Sequence, residues 1–153
     1  MTEVNLKRRM LVQAGAVVSL LAAVPRLLLV AAWPKDAFGA SDAQAALASL
    51  LGGQSPQPSD QITLEAPEIA ENGAVVPISV STTLGQVESI SIVVEKNPRP
   101  LAASFEIPPG TLPDISARIK MGETSDVIAV VKTANGTFST KRMVKVTIGG
   151  CGG

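Results

Sequence analysis

From Ile62 onward, apolar and polar residues alternate with a period of two. Ile62, Leu64 and Ala66 share one parity, as do Val76, Ile78 and Val80, and then Ile90, Ile92 and Val94. Ile115, Ala117, Ile119 and Met121 alternate with Ser116, Arg118 and Lys120. Phe105 and Ile107 make a shorter segment between Asn97-Pro98-Arg99-Pro100 and Pro108-Pro109-Gly110, both of which read as rigid turns. Val127 to Val131 is apolar on both faces, as expected of a central strand, and Phe138, Val144, Val146 and Ile148 share a parity along the last one. A strand face half buried against a core produces this alternation, because successive side chains point to opposite sides. Pro77 cannot donate to a ladder and predicts an edge strand. Asn135-Gly136 predicts a hairpin turn joining the last two strands. About seven short segments at roughly ten-residue spacing, with no helix between them, predict an all-β fold: an immunoglobulin-like antiparallel β-sandwich. Strand order is not contained in the pattern.

Ahead of the strands the period changes. Ser41 to Leu51 reads as a short N-terminal helix, with Ser41 as cap, Gln44 completing a capping box, and Ala45, Leu47, Ala48 and Leu51 at helical spacing. Gly52-Gly53 ends it, and Gln54 to Asp60 is a Pro/Ser-rich connector. Further upstream, Lys7-Arg8-Arg9 precedes an Ala-, Gly- and Val-rich apolar stretch that Pro25-Arg26 interrupts. Paired arginines, Arg8 and Arg9, before a weakly hydrophobic run are the pattern of a twin-arginine (Tat) export signal. The run stops short of the roughly 20 residues a spanning helix needs, so a membrane anchor is not expected in the mature form. Cleavage is expected near Ala37-Phe38-Gly39-Ala40. The chain thus divides into a signal at 1–40, a helix and linker at 41–60, a sandwich at 61–148 and a terminal arm at 149–153.

Composition narrows the function. With the signal set aside, residues 41–153 hold 8 basic and 11 acidic side chains, which leaves no basic field for nucleic acid or an anionic membrane. The chain has no histidine, no tyrosine, one tryptophan and one cysteine. Imidazole bases, His ligands and multi-Cys metal cages are therefore missing, and neither a metal nor another cofactor is expected. Glu65, Glu68 and Glu71 lie in a turn-rich segment without a base or metal beside them and read as solvated charges. Arg118 and Lys120, on the outward face of one strand, and Lys141 and Arg142, near the start of the last, are candidates for steering anions or docking partners. The same charges also serve simply to solvate a strand face.

The single cysteine, Cys151, is flanked by Gly149-Gly150 and Gly152-Gly153. Glycines on both sides deny it packing neighbours and give the backbone maximal torsional freedom, so the segment reads as a flexible arm. No basic side chain lies within those five residues, and a terminal carboxylate beside the sulfur disfavours thiolate. Such a thiol suits a covalent carrier activated by the enzymes it visits, with tethering raising the effective concentration of each intermediate. A disulfide-linked dimer, an exported immunoglobulin-like binding module crosslinked through this cysteine, and a terminal thiocarboxylate carrier remain as alternatives. The last of these is usually cytosolic and of another fold.

The twin-arginine segment, Ile62-Thr63-Leu64-Glu65-Ala66-Pro67-Glu68-Ile69-Ala70-Glu71-Asn72-Gly73, Glu95-Lys96-Asn97-Pro98 and the terminal Gly-Gly-Cys-Gly-Gly together resemble the SoxY family of sulfur carriers. The resemblance implies a periplasmic, non-enzymatic carrier that holds thiosulfate-derived sulfur on Cys151. It also implies a heterodimer with a SoxZ-type subunit that has no signal of its own, which would explain export of a folded complex. A c-type cytochrome would load the thiol, a sulfate thiohydrolase would release sulfate, and a sulfane dehydrogenase would oxidise the sulfur left behind.

Overall fold

Two β-sheets face each other, and their inward side chains make the core. The computed structural model describes residues 33–148, so the paired arginines at 8 and 9 and the arm at 149–153 lie outside the described residues. Two helices come first, α1 (Lys35–Gly39) and α2 (Ala43–Leu51). Nine strands follow: β1 (Gln57–Pro58), β2 (Ile62–Glu65), β3 (Ile69–Ala70), β4 (Val76–Thr82), β5 (Val87–Val94), β6 (Leu101–Glu106), β7 (Asp114–Ile119), β8 (Ser125–Thr133) and β9 (Gly136–Val146). The larger sheet runs β1-β9-β8-β5-β6, with β3 also on β9, and the smaller runs β2-β4-β7. This is the expected all-β, immunoglobulin-like sandwich.

The alternating residues named from the sequence close the space between the sheets. Ile62, Leu64, Val76, Ile78, Val80 and Ile119 from one side meet Ile90, Ile92, Val94, Val127, Ala129, Val131 and Val144 from the other. Burying each such valine or isoleucine stabilises by about 1.5–3 kcal/mol relative to exposure. The doubly apolar run at Val127–Val131 is β8, which β5 and β9 flank on either side. On the outer face of the large sheet, Val93 and Leu101 are nearly inaccessible because Ala37 and Ala46 of the two helices cover them. That cover explains why Val93 is apolar on what would otherwise be a solvated face.

Four local details depart from the sequence reading. The cap of α2 is Asp42, not Ser41: its Oδ1 accepts from the Ala45 N–H at 2.7 Å, and the helix starts at Ala43. Gly52 then stops the helix as expected, in the left-handed region at φ 61°. Pro77 belongs to β4, the central strand of the smaller sheet. It is tolerated there because β2 pairs only with Ser79–Thr82, so at the level of Pro77 the strand has β7 on one side alone. The β8–β9 loop is Ala134-Asn135, with Gly136 already paired to Thr133. The connector after α2 is not wholly irregular either, since β1 pairs in parallel with Phe138 and Ser139.

Candidate functional site

The segment that leads to the arm is β9, the longest strand, held from both sides. Along β8 it pairs antiparallel from Ser125↔Val144 to Thr133↔Gly136. On its other edge β3 pairs in parallel, with Ile69 opposite Lys145 and Ala70 opposite Val146. Backbone pairing continues past the strand's end. The Thr147 N–H donates to Ala70 O at 3.1 Å, its hydroxyl donates to Glu71 O at 3.0 Å, and Ile148 O accepts from the Gly73 N–H at 2.7 Å. The chain is therefore backbone-bonded up to Ile148, the last described residue. Ile148 breaks the expected parity, however, and is 68% exposed.

Gly73 joins this root to the smaller sheet. Its carbonyl accepts from the Met121 N–H at 2.7 Å, immediately after Lys120. The neighbouring loops are tied by Asn97, a buried residue. Its Nδ2 donates to Lys120 O at 2.7 Å, and its Oδ1 accepts from the Gly122 N–H at 3.0 Å. Asn97 thereby fastens the β5–β6 loop to the β7–β8 loop at the end of the sandwich where β9 finishes. Sequence reasoning took this residue only as part of a rigid turn.

At the same end lies an open groove of about 420 Å³, between the β5–β6 loop and β7. Arg99, Arg118 and Lys120 line it, all three exposed, with the nearly buried Leu101 and Ile119 among its apolar lining. Among the described residues no carboxylate is part of the lining, and none lies within ion-pair distance of these cations. Arg99 donates from Nη1 to Gly39 O at 2.9 Å, which also fastens α1 to the loop. The strand parity had placed Arg118 and Lys120 on one outward face. Their convergence with Arg99, which comes from the loop between β5 and β6 of the other sheet, has no local signal.

The other candidate cations are used differently. Lys141 lies mid-strand in β9, not near its start, and its Nζ reaches Asp126 Oδ2 at 2.8 Å. That hydrogen bond, and the Asp126 charge with it, holds the Lys141 ammonium above the ordinary lysine value. Arg142 is exposed beside it, opposite Val127. Glu65, Glu68 and Glu71 are exposed and make no metal-binding group among the described residues. No helix among the described residues is long and apolar enough to cross a membrane.

Comparisons with known proteins agree on one family. The family described as "Sulfur oxidation protein SoxY" matches residues 47–151, a span that includes the whole sandwich and Cys151. The solved structure of the sulfur carrier protein SoxY from Chlorobium limicola f thiosulfatophilum is 38% identical. It superposes with a TM-score of 0.64 over 74% of this chain and 99% of that one. A superoxide reductase (neelaredoxin) from Ignicoccus hospitalis shares 18% identity, with a TM-score of 0.51 over 56% of this chain and 79% of its own. At that identity the likeness is one of fold alone. No curated protein matches the chain. With the family span covering most of its length and a solved member matching nearly end to end, this chain belongs to the SoxY family.

Proposed function

We propose that this chain is a sulfur carrier of periplasmic thiosulfate oxidation, holding its cargo covalently on Cys151. The observation that carries the reading is the family match itself, which reaches to Cys151 and is backed by a solved sulfur carrier aligned over 99% of its length. The glycines on either side, Gly149, Gly150, Gly152 and Gly153, leave the sulfur without bulky neighbours in sequence, so that an enzyme's active site can admit it.

The chemistry asks little of the carrier. In loading, the Cys151 thiolate and the outer sulfur of thiosulfate form an S–S bond while two electrons pass to a c-type cytochrome. The product is a thiosulfonate. Water then cleaves the bond to the sulfonate group on a thiohydrolase, releasing sulfate and protons and leaving a persulfide for a sulfane dehydrogenase to oxidise. A free thiol with a pKa near 8.5 is only a few per cent thiolate at neutral pH, so activation falls to the visiting enzymes. Export as a folded heterodimer with a SoxZ-type subunit, through the signal marked by Arg8 and Arg9, completes the proposal.

Intact-mass analysis of protein from cells oxidising thiosulfate tests it. The expected result is thiol-sensitive additions of sulfur and thiosulfonate mass that map to Cys151. An unmodified Cys151 during turnover, or undiminished sulfur oxidation in Cys151→Ser, would overturn it.

A further inference from the structure

β7 is the last strand of the smaller sheet, and its ladder with β4 uses only one of its edges. We propose that the other edge, with the basic groove beside it, receives an extended segment of a partner protein in which acidic and apolar residues alternate. The carrier reading gives this edge no role, and the inference does not depend on that reading.

The register decides which backbone groups face outward. Thr83 donates its N–H to Gln61 O at 3.1 Å, toward β2, and Thr82 donates to Pro113 O at 3.3 Å, toward β7. Alternation along an antiparallel ladder then turns Val80, Ile78 and Val76 toward β7, where they face Ile115, Ala117 and Ile119. Ser116 and Arg118 lie between these bonded members, so their N–H and C=O groups point to the opposite edge. Pro77, opposite Arg118, fits the same phase, because the β4–β7 ladder asks for no N–H at that position. Among the described residues no strand pairs with the outward edge. It ends at Lys120, whose carbonyl Asn97 already engages. Ser116 and Arg118 thus offer their donors and acceptors to an added strand. In that mode of recognition main-chain bonds supply affinity and alternate side chains supply choice.

The side chains along the edge select what the strand carries. Arg118 and Lys120 lie on one face, Arg99 stands on the facing wall of the groove, and among the described residues no carboxylate lines it. Ile119, with Leu101 and Ala102 across the gap between the sheets, supplies the apolar lining. An added strand therefore meets cations with one set of alternate side chains and hydrocarbon with the other. Acidic residues in the first set and valine-like residues in the second satisfy both. Exposed Asp114 closes the far end of the edge, so the acidic residues belong opposite Arg118 and Lys120. The same cations repel basic strands, which makes the edge selective. A second copy of this chain fits less well. Its free edge would bring a single carboxylate, Asp114, together with another Arg118 and Lys120, and leave the cationic excess of the groove unmet.

The probe is the acetylated pentapeptide amide Val-Glu-Val-Glu-Val, titrated into the reduced mature chain and followed through backbone amide resonances. The Ser116 and Arg118 amides should shift and, at saturating peptide, exchange with solvent more slowly. Arg118→Gln/Lys120→Gln should weaken binding about fivefold, the size expected for two surface ion contacts. Salt at about 0.5 M should bring the parent to the same level. Arg99 is left in place because it fastens α1. Val-Lys-Val-Lys-Val should not bind, and Glu-Glu-Val-Val-Val, of equal composition without the alternation, should bind more weakly. N-methylation of one alternate set of peptide amides should abolish binding, while methylation of the other set should leave it largely intact.

Equal binding of the acidic and basic peptides, or of the alternating and blocked ones, would overturn the proposal. N-methylation acting alike on both sets would reduce the contact to charge alone and overturn it as well. Sulfate shifting the Ser116 and Arg118 amides as strongly as the peptide, at matched ionic strength, would make the groove a site for small anions. Sedimentation of a dimer whose Ser116 and Arg118 amides are protected before any peptide is added would assign the edge to a second copy. Either of these results overturns the proposal too.

Discussion

Asn97 has only 8% of its surface exposed, and its amide joins loops that the chain separates by more than twenty residues. Asn97→Ala strands the Lys120 carbonyl and the Gly122 N–H, and a buried polar group left unpaired costs about 1–3 kcal/mol. Urea denaturation should show a loss of that size, and Asn97→Asp should lose at least as much, because its second carboxylate oxygen faces the Lys120 carbonyl, acceptor against acceptor. Lys141 is the contrasting case, since its pair with Asp126 lies at the surface. Its folded value is raised above 10.5, so the stabilisation is complete below the ordinary lysine value and disappears as pH climbs through the raised one. Lys141→Gln and the parent should therefore differ slightly at neutral pH and converge in strong alkali, read as denaturation midpoints. Local rules reached some of these residues and not others. Gly52 was legible as a helix stop because its role needs only its own backbone. Asn97 looked like a turn residue because its partners, 23 and 25 positions away, leave no trace in its neighbourhood.

At the scale of elements, periodicity identified the longer strands because each buries one face. It missed β1 and β3, which are two residues long and are defined by the edge of β9 they pair with, not by a pattern of their own. Those pairings make β9 an internal strand near its end. Thr147→Pro would remove the N–H that bonds Ala70 O, along with the hydroxyl bond to Glu71 O. Amide exchange at Gly73 should then accelerate by at least an order of magnitude, as expected when about 1.4 kcal/mol of local stability is lost, while exchange in β5 stays unchanged. The helix α1 offers a second test. Ala37 is fully buried against the cluster that contains Val93 and Leu101, and Arg99 holds Gly39. Cleavage within 37–40, where the small residues first suggested it, would uncover two large aliphatic side chains. If α1 is retained, Ala37→Leu should destabilise the mature protein by about 1–3 kcal/mol through overpacking.

At the largest scale, the described sandwich has two unlike ends. Where β9 finishes, the groove lining is cationic, with Arg99, Arg118 and Lys120. At the β8–β9 hairpin end, a second groove of about 520 Å³ is mainly apolar, lined in part by Val87, Ile107, Pro108 and Pro109. The sandwich itself was readable from the sequence because a core between two sheets imposes alternation throughout. The polarity of its ends was not, since it arises only when β5, β6 and β7 are brought together. One consequence is measurable in the whole chain. An anionic thiol reagent such as Ellman's should outpace a neutral dipyridyl disulfide at Cys151 in dilute buffer, after correction for their intrinsic rates. Raising the ionic strength from about 0.01 to 0.15 M shortens the screening length from about 30 to 8 Å, and the advantage should fall at least twofold. The attachment of β9 has a mechanical meaning as well. A strand bonded along both edges and pulled along its axis is loaded in shear, so its hydrogen bonds must break together instead of peeling one by one. A pull on the chain beyond Ile148 should therefore load the whole strand at once, and the sandwich should yield only at forces that break those bonds together.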